Sequence, residues 1–136
     1  MAVNQTYYSG INRDLLDKIP VTSMTVLEVG CGTGALGHTF KMMNPSAHYL
    51  GIELMEEPAK LAGQKLDHVW CMDVEDKQNN FKLPDGVQTI DTLVYGDVLE
   101  HLKDPRKVLQ EHVKWLSQGG VVVACIPNVQ YWKVIY

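Results

Sequence analysis

The stretch VLEVGCGTGALG, residues 26–37, sets a carboxylate, Glu28, inside an apolar run that opens into Gly30, Gly32, Gly34 and Gly37. Glycines spaced in this way let a backbone turn tightly after a strand and approach a ligand closely. The helix that follows offers unpaired amides and a partial positive charge at its first turn. Gly32, Gly34 and Gly37 also fit the G-x-G-x-x-G spacing of dinucleotide-binding turns, whose ligand is a pyrophosphate. Glu28 points the other way. A carboxylate in a buried strand is costly unless a positive group or a hydrogen-bond donor faces it, and it repels phosphate while attracting an ammonium.

Other residues carry compatible chemistry. Glu53 closes the apolar run AHYLGI (47–52), where an acid can accept hydrogen bonds from ribose hydroxyls. In YGDVLEHLKDP (95–105), Asp97, Glu100 and His101 form D-x-x-E-H, hard oxygens with an imidazole. His101 is the nearest general base should a hydroxyl need deprotonation.

The elements that must position these groups alternate along the chain. Apolar runs rich in β-branched residues occur at 24–29, 47–52, 68–72, 90–95 and 120–126, separated by helix-like stretches. Their continuous rather than alternating apolarity predicts strands covered on both faces, hence a mostly parallel sheet in a three-layer α/β sandwich. Asp104 and Pro105 predict a helix start, Val108, Leu109, Val113 and Leu116 its apolar stripe, and Gly119–Gly120 its stop. Helices are also predicted at 12–19, from Leu36 to Met43, and from Pro58 to Leu66, while 75–86 reads as an exposed loop.

Composition narrows the function. At 136 residues the chain is one domain, 1–136. Its net charge of −4 and lack of a Lys/Arg stripe argue against nucleic acid. Cys31, Cys71 and Cys125 are odd in number and form no C-x-x-C pair, which fits a reducing cytoplasm better than a disulfide framework or a zinc site. The N-terminus lacks a signal-peptide pattern and no apolar run approaches a membrane span, so neither export nor a membrane location is expected.

An acid ahead of G-x-G-x-G, here Glu28 with Gly30, Gly32 and Gly34, resembles the first motif of class I S-adenosylmethionine-dependent methyltransferases. The segment 95–105 resembles methyltransferases of the ubiquinone-biosynthesis type and those linked to sugar metabolism. The resemblance runs from about Tyr7 to Trp132. It implies a Rossmann-like fold with strand order 3-2-1-4-5 and S-adenosylmethionine as cofactor. By this analogy Glu28 takes the methionine ammonium and Glu53 the ribose, while Leu54 packs on adenine. Asp73, with Val74 beside it, meets the adenine amino group, and Gly96 and Asp97 lie against the methionine end. Arg13 takes the carboxylate, and Tyr7 and Tyr8 help to close the site. The D-x-x-E-H set is similar to the E-x-x-E-H metal set of some methyltransferases. Aspartate replaces its first glutamate and no histidine follows the last strand, so no metal is expected.

The family fold has seven strands and this sequence supplies five, which reads as an N-terminal fragment of a methyltransferase core truncated after the fifth. The run 120–126 would then be an open edge suited to pairing with a second copy. The leading reading is methyl transfer to a small-molecule or sugar-linked acceptor. Two others stay open: a cofactor-binding or assembly module without activity, and a nicotinamide-dependent oxidoreductase, which leaves Glu28 poorly explained.

Overall fold

The computed structural model describes residues 10–79 and 81–126, so Tyr7 and Tyr8 lie outside the described residues. The elements are α1 (Arg13–Lys18), β1 (Thr25–Val29), α2 (Ala35–Met43), β2 (His48–Glu53), α3 (Glu56–Gly63), β3 (His68–Cys71), β4 (Ile90–Gly96), α4 (Pro105–His112) and β5 (Leu116–Cys125). Short 3-10 turns occupy Leu99–His101 and Val113–Trp115. The five strands form one parallel sheet in the expected order, β3-β2-β1-β4-β5.

Alternate residues of each inner strand feed two core layers. Val26 of β1 and Tyr49 of β2 join Leu15, Leu16, Phe40 and Leu66 on one face. Leu27, Val29, Leu50, Leu93 and Tyr95 face the other way, with Trp70, Phe81 and Trp115 packed against them. Burial on both faces explains why these strands read as continuous apolar runs. The order reverses beside β1, whose neighbours are β2 and β4, and the carboxyl ends of these three strands frame a crevice of the kind that binds ligands in open α/β sheets.

Two helix starts follow the sequence signals. The Asn12 side chain accepts a hydrogen bond from the Leu15 amide at 3.1 Å, and Asp104 accepts one from Lys107 at 3.1 Å with Pro105 at the first helical position. Helix ends depart from them. The α3 helix begins at Glu56, ahead of Pro58, and stops at Gly63 rather than Leu66, although Leu66 still reaches the core.

The larger departure is at α4, which ends at His112. Leu116 belongs to β5, pairing with Ile90, and Gly119–Gly120 lie inside that strand rather than stopping a helix. Ile90 pairs with Leu116 but Thr92 with Val121, so the β5 chain bulges between these points, and Gly119 supplies a positive φ of 82° there. The loop 75–86 has no strand or helix among its described residues, yet Phe81 packs between Trp70 and Trp115 with ring centroids 4.6 Å from each. Among the described residues no helix is long and apolar enough to cross a membrane.

Candidate cofactor site

The glycine loop leaves β1 and hooks onto the end of β2. The amides of Gly30 and Cys31 both donate to the Ile52 carbonyl, at 2.8 and 3.0 Å, and that of Gly34 donates to Cys31 O at 3.0 Å. The Gly32 amide donates to Oε1 of Glu53 at 2.9 Å, while Oε2 of Glu53 accepts from the Met55 amide at 2.8 Å. These loop amides are turned inward and do not form a free cradle for phosphate. Gly30, Gly32 and Gly34 all have positive φ. Gly34 caps α2 in the left-handed region at φ 86°, where a Cβ would also meet the Ala62 backbone at 3.0 Å.

Glu28 stands on β1 almost fully buried, with Oε1 accepting a hydrogen bond from the Tyr49 hydroxyl at 2.9 Å. Burial pushes its carboxyl up to about 7, the Tyr49 bond pulls it down and the nearby charge of Glu53 raises it further. None of the ion pairs among the described residues involves Glu28. It opens onto a cavity of about 330 Å³ whose lining includes Asn12, Gly32, Thr33, Gly96 and Asp97. Asp97 holds a left-handed backbone, φ 53°, the one positive value among described non-glycine residues, and its amide donates to Cys125 O at 3.3 Å. Such conformations in ordered structure gather at ligand sites.

The predicted residues thus divide. Glu28, Gly32, Gly96 and Asp97 share one cavity, and Glu53 braces the loop beside it. Leu54 stands 62% exposed after β2, next to Met55 at 60%, an apolar pair free to cover a ligand face. Asp73 and Val74 line a different cavity, of about 640 Å³, between the segment after β3 and α4, and Asp73 Oδ1 is engaged by the Glu75 amide at 2.9 Å. Arg13 lies exposed on α1, outside the lining of the Glu28 cavity, whereas Asn12 is in it. His101 is also outside that lining; its side chain is 77% exposed, with Nε2 3.5 Å from Glu100 Oε1. Among the described residues no three His, Cys, Asp or Glu side chains gather closely enough to hold a metal ion.

Sequence reasoning missed Tyr49 and Asn12. Tyr49 carried a signal, since a tyrosine in a buried strand needs a partner for its hydroxyl. Which partner depends on the β1–β2 register, in which Glu28 pairs with Gly51, two residues beyond Tyr49 and on the same face. Asn12 was visible only as the first residue of the predicted helix 12–19; it caps that helix, and its Nδ2 also donates to Cys125 Sγ at 3.3 Å, tying the start of α1 to the end of β5.

Known proteins share this architecture. Residues 27–122 match the model of a family described as a methyltransferase domain. A 37.1 kDa protein in transposon TN4556 of Streptomyces fradiae is 32% identical over 123 residues, which take in 89% of this chain and 34% of that protein. Ubiquinone biosynthesis O-methyltransferase of Aliivibrio fischeri is 30% identical over 104 residues, covering 71% of this chain and 41% of the enzyme. The chain therefore spans well under half the length of these relatives. The plantazolicin methyltransferase BpumL, solved in complex with SAH, superposes with a TM-score of 0.64 at 20% identity, covering 88% of this chain and 44% of that one. With the family match running through the glycine loop, the whole of β2, β3 and β4 and parts of β1 and β5, the chain belongs to the methyltransferase-domain family, of the class I S-adenosylmethionine-dependent type.

Proposed function

We propose that this chain binds S-adenosylmethionine across the carboxyl ends of β1, β2 and β4 and serves methyl transfer to a small-molecule or sugar-linked acceptor. The observation that carries this reading is Glu28: a buried carboxylate facing a cavity, with a tyrosine donor on one oxygen and no ion pair among the described residues. An ammonium supplies what that site lacks, and a pyrophosphate would add repulsion.

The remaining residues fit the same ligand. Gly34 gives α2 no side-chain cap, so the first-turn amides beside Thr33 and Ala35 suit the methionine carboxylate. Glu53 already accepts two amides, and each of its oxygens retains a lone pair for a ribose hydroxyl. Leu54 offers its exposed side chain to adenine, with Asp73 and Val74 reached beyond it. Gly96 keeps the floor open beside Glu28, and Asp97 closes it. Arg13 is assigned to the carboxylate only if its side chain swings from α1 toward the cavity.

The cofactor supplies a methyl group already activated on sulfonium, so the protein's part is to hold donor and acceptor in line. For a hydroxyl acceptor we assign proton removal to His101, which requires the acceptor to approach from the solvent side of the Leu99–His101 turn. The 30% identity to a ubiquinone O-methyltransferase supports a small-molecule acceptor.

The test is calorimetric titration of the chain with S-adenosylhomocysteine and, separately, with NAD. Binding of the former alone is expected. Binding of NAD alone would overturn the reading, and binding of neither would leave the Glu28 cavity without its proposed ligand.

A further inference from the structure

Gly37, the last glycine of the G-x-G-x-x-G spacing, does not face the cavity. A Cβ built on it would lie 2.4 Å from both Cδ1 and Cε1 of Tyr49 and 2.6 Å from Cδ2 of Leu66. The α2 backbone therefore rests directly on the tyrosine ring, and Phe40 of the same helix is tilted against that ring at a centroid distance of 5.8 Å. The start of β2 is fixed as well, because the Tyr49 amide donates to Asp67 Oδ2 at 2.7 Å and that same oxygen pairs with Lys41 at 2.6 Å. A ring with no exposed surface, wedged between α2 and the sheet, has one place for its hydroxyl: Oε1 of Glu28, at 2.9 Å. The other oxygen, Oε2, is left 3.9 Å from where a Cβ on Gly96 would stand, toward the cavity they both line.

Resting on the cofactor reading above, we infer that Tyr49 is a positioning residue for the cofactor: it fixes one oxygen of Glu28 so that the other is presented to the ligand's ammonium. Gly37 serves this arrangement by leaving room for the ring. The hydroxyl also favours the ionised carboxylate, because a donor stabilises the charged form. Tyr49 itself stays protonated, burial and the charge of Glu28 holding it well above the usual phenol range. Among the described residues the other titratable groups around Glu28 are Glu53 from the end of β2, Cys31 from the glycine loop and Asp97 beyond β4; α1 contributes Leu15, and the turn before it Asn12, both uncharged. None of these is cationic, so among the described residues the tyrosine is the main group opposing protonation of Glu28.

The test reads Tyr49→Phe in two ways. Carbon-13 NMR of glutamate-labelled protein without ligand follows the Glu28 carboxyl, identified by its loss in Glu28→Gln. The midpoint should move to higher pH in Tyr49→Phe. The dissociation constant for S-adenosylhomocysteine should weaken about tenfold at pH 7.5, the scale of a hydrogen bond to a charged group, and recover in part at pH 8.5. An unchanged midpoint with unchanged binding overturns the inference. If the parent protein binds no S-adenosylhomocysteine at any pH, the cofactor reading fails, and the carboxyl titration still decides the tyrosine's role. Should Tyr49→Phe not fold, replacement of tyrosine by 3-fluorotyrosine makes the phenol a stronger donor and should move the Glu28 midpoint down; no movement would count against the inference.

Discussion

Glu28 has a carboxyl that titrates near neutrality, so the site changes character over a narrow pH range. Below about 7 it is largely a neutral acid, and an arriving ammonium must displace a proton to gain its counter-ion. Glu28→Gln keeps the shape and the tyrosine bond while removing the charge. At pH 8.5 it should weaken S-adenosylhomocysteine binding by about 1–3 kcal/mol, the scale of a charged hydrogen bond. Below pH 7 the difference from the parent should narrow, because both side chains are then uncharged. Calorimetry at pH 6 and 8.5 checks this, and equal affinities at pH 8.5 would remove Glu28 from ammonium binding. The sequence made this residue legible, since an acid inside an apolar run demands an explanation. It left the partner of Tyr49 illegible, because a parallel register brings together two residues 21 positions apart.

Element identities were readable where continuous apolar runs met clear boundary residues, as at β1, β2, β4 and the Asp104–Pro105 start of α4. The misreading of β5 has a specific origin. Leu116 falls in helical phase with Val108, Leu109 and Val113, but His112 turns inward to hydrogen-bond Tyr95 at 2.6 Å and Trp115 stacks on its ring at 4.6 Å. That packing ends the helix, and the chain enters the sheet directly. Among the described residues β5 pairs on one side only, and it exposes Val121 and Val122 by 38% and 41%. Open edges of this kind pair with other strands. We expect the apparent mass of the 136-residue chain in light scattering to rise with concentration, and Val122→Lys to reduce that rise. A constant single-chain mass for the parent would remove the pairing.

Across the whole molecule, the two faces of the sheet carry matched buried pairs: Tyr49 with Glu28 on one, Tyr95 with His112 on the other. Their protonation acts on stability in opposite directions. Glu28 is raised from 4.5 to about 7, so the folded state holds its proton more tightly and stability falls as pH rises from about 4.5 through 7. His112, kept neutral by burial, is lowered from 6.5 to about 4, so stability falls as pH drops from about 6.5 through 4. Each effect is of order 3 kcal/mol. Between about pH 4.5 and 6.5 they oppose one another, which flattens their joint contribution. Glu28→Gln should unmask the histidine, giving denaturant stability that climbs with pH across this window relative to the parent. Parallel profiles for the two proteins, measured by urea unfolding without ligand, would contradict the assignment.

Leu54 and Met55 follow β2 more than half exposed, at the turn that Glu53 pins. On the proposed reading a flat base settles over this apolar surface and drives water from it. Binding should therefore carry a negative heat-capacity change, and its enthalpy should become more favourable on warming.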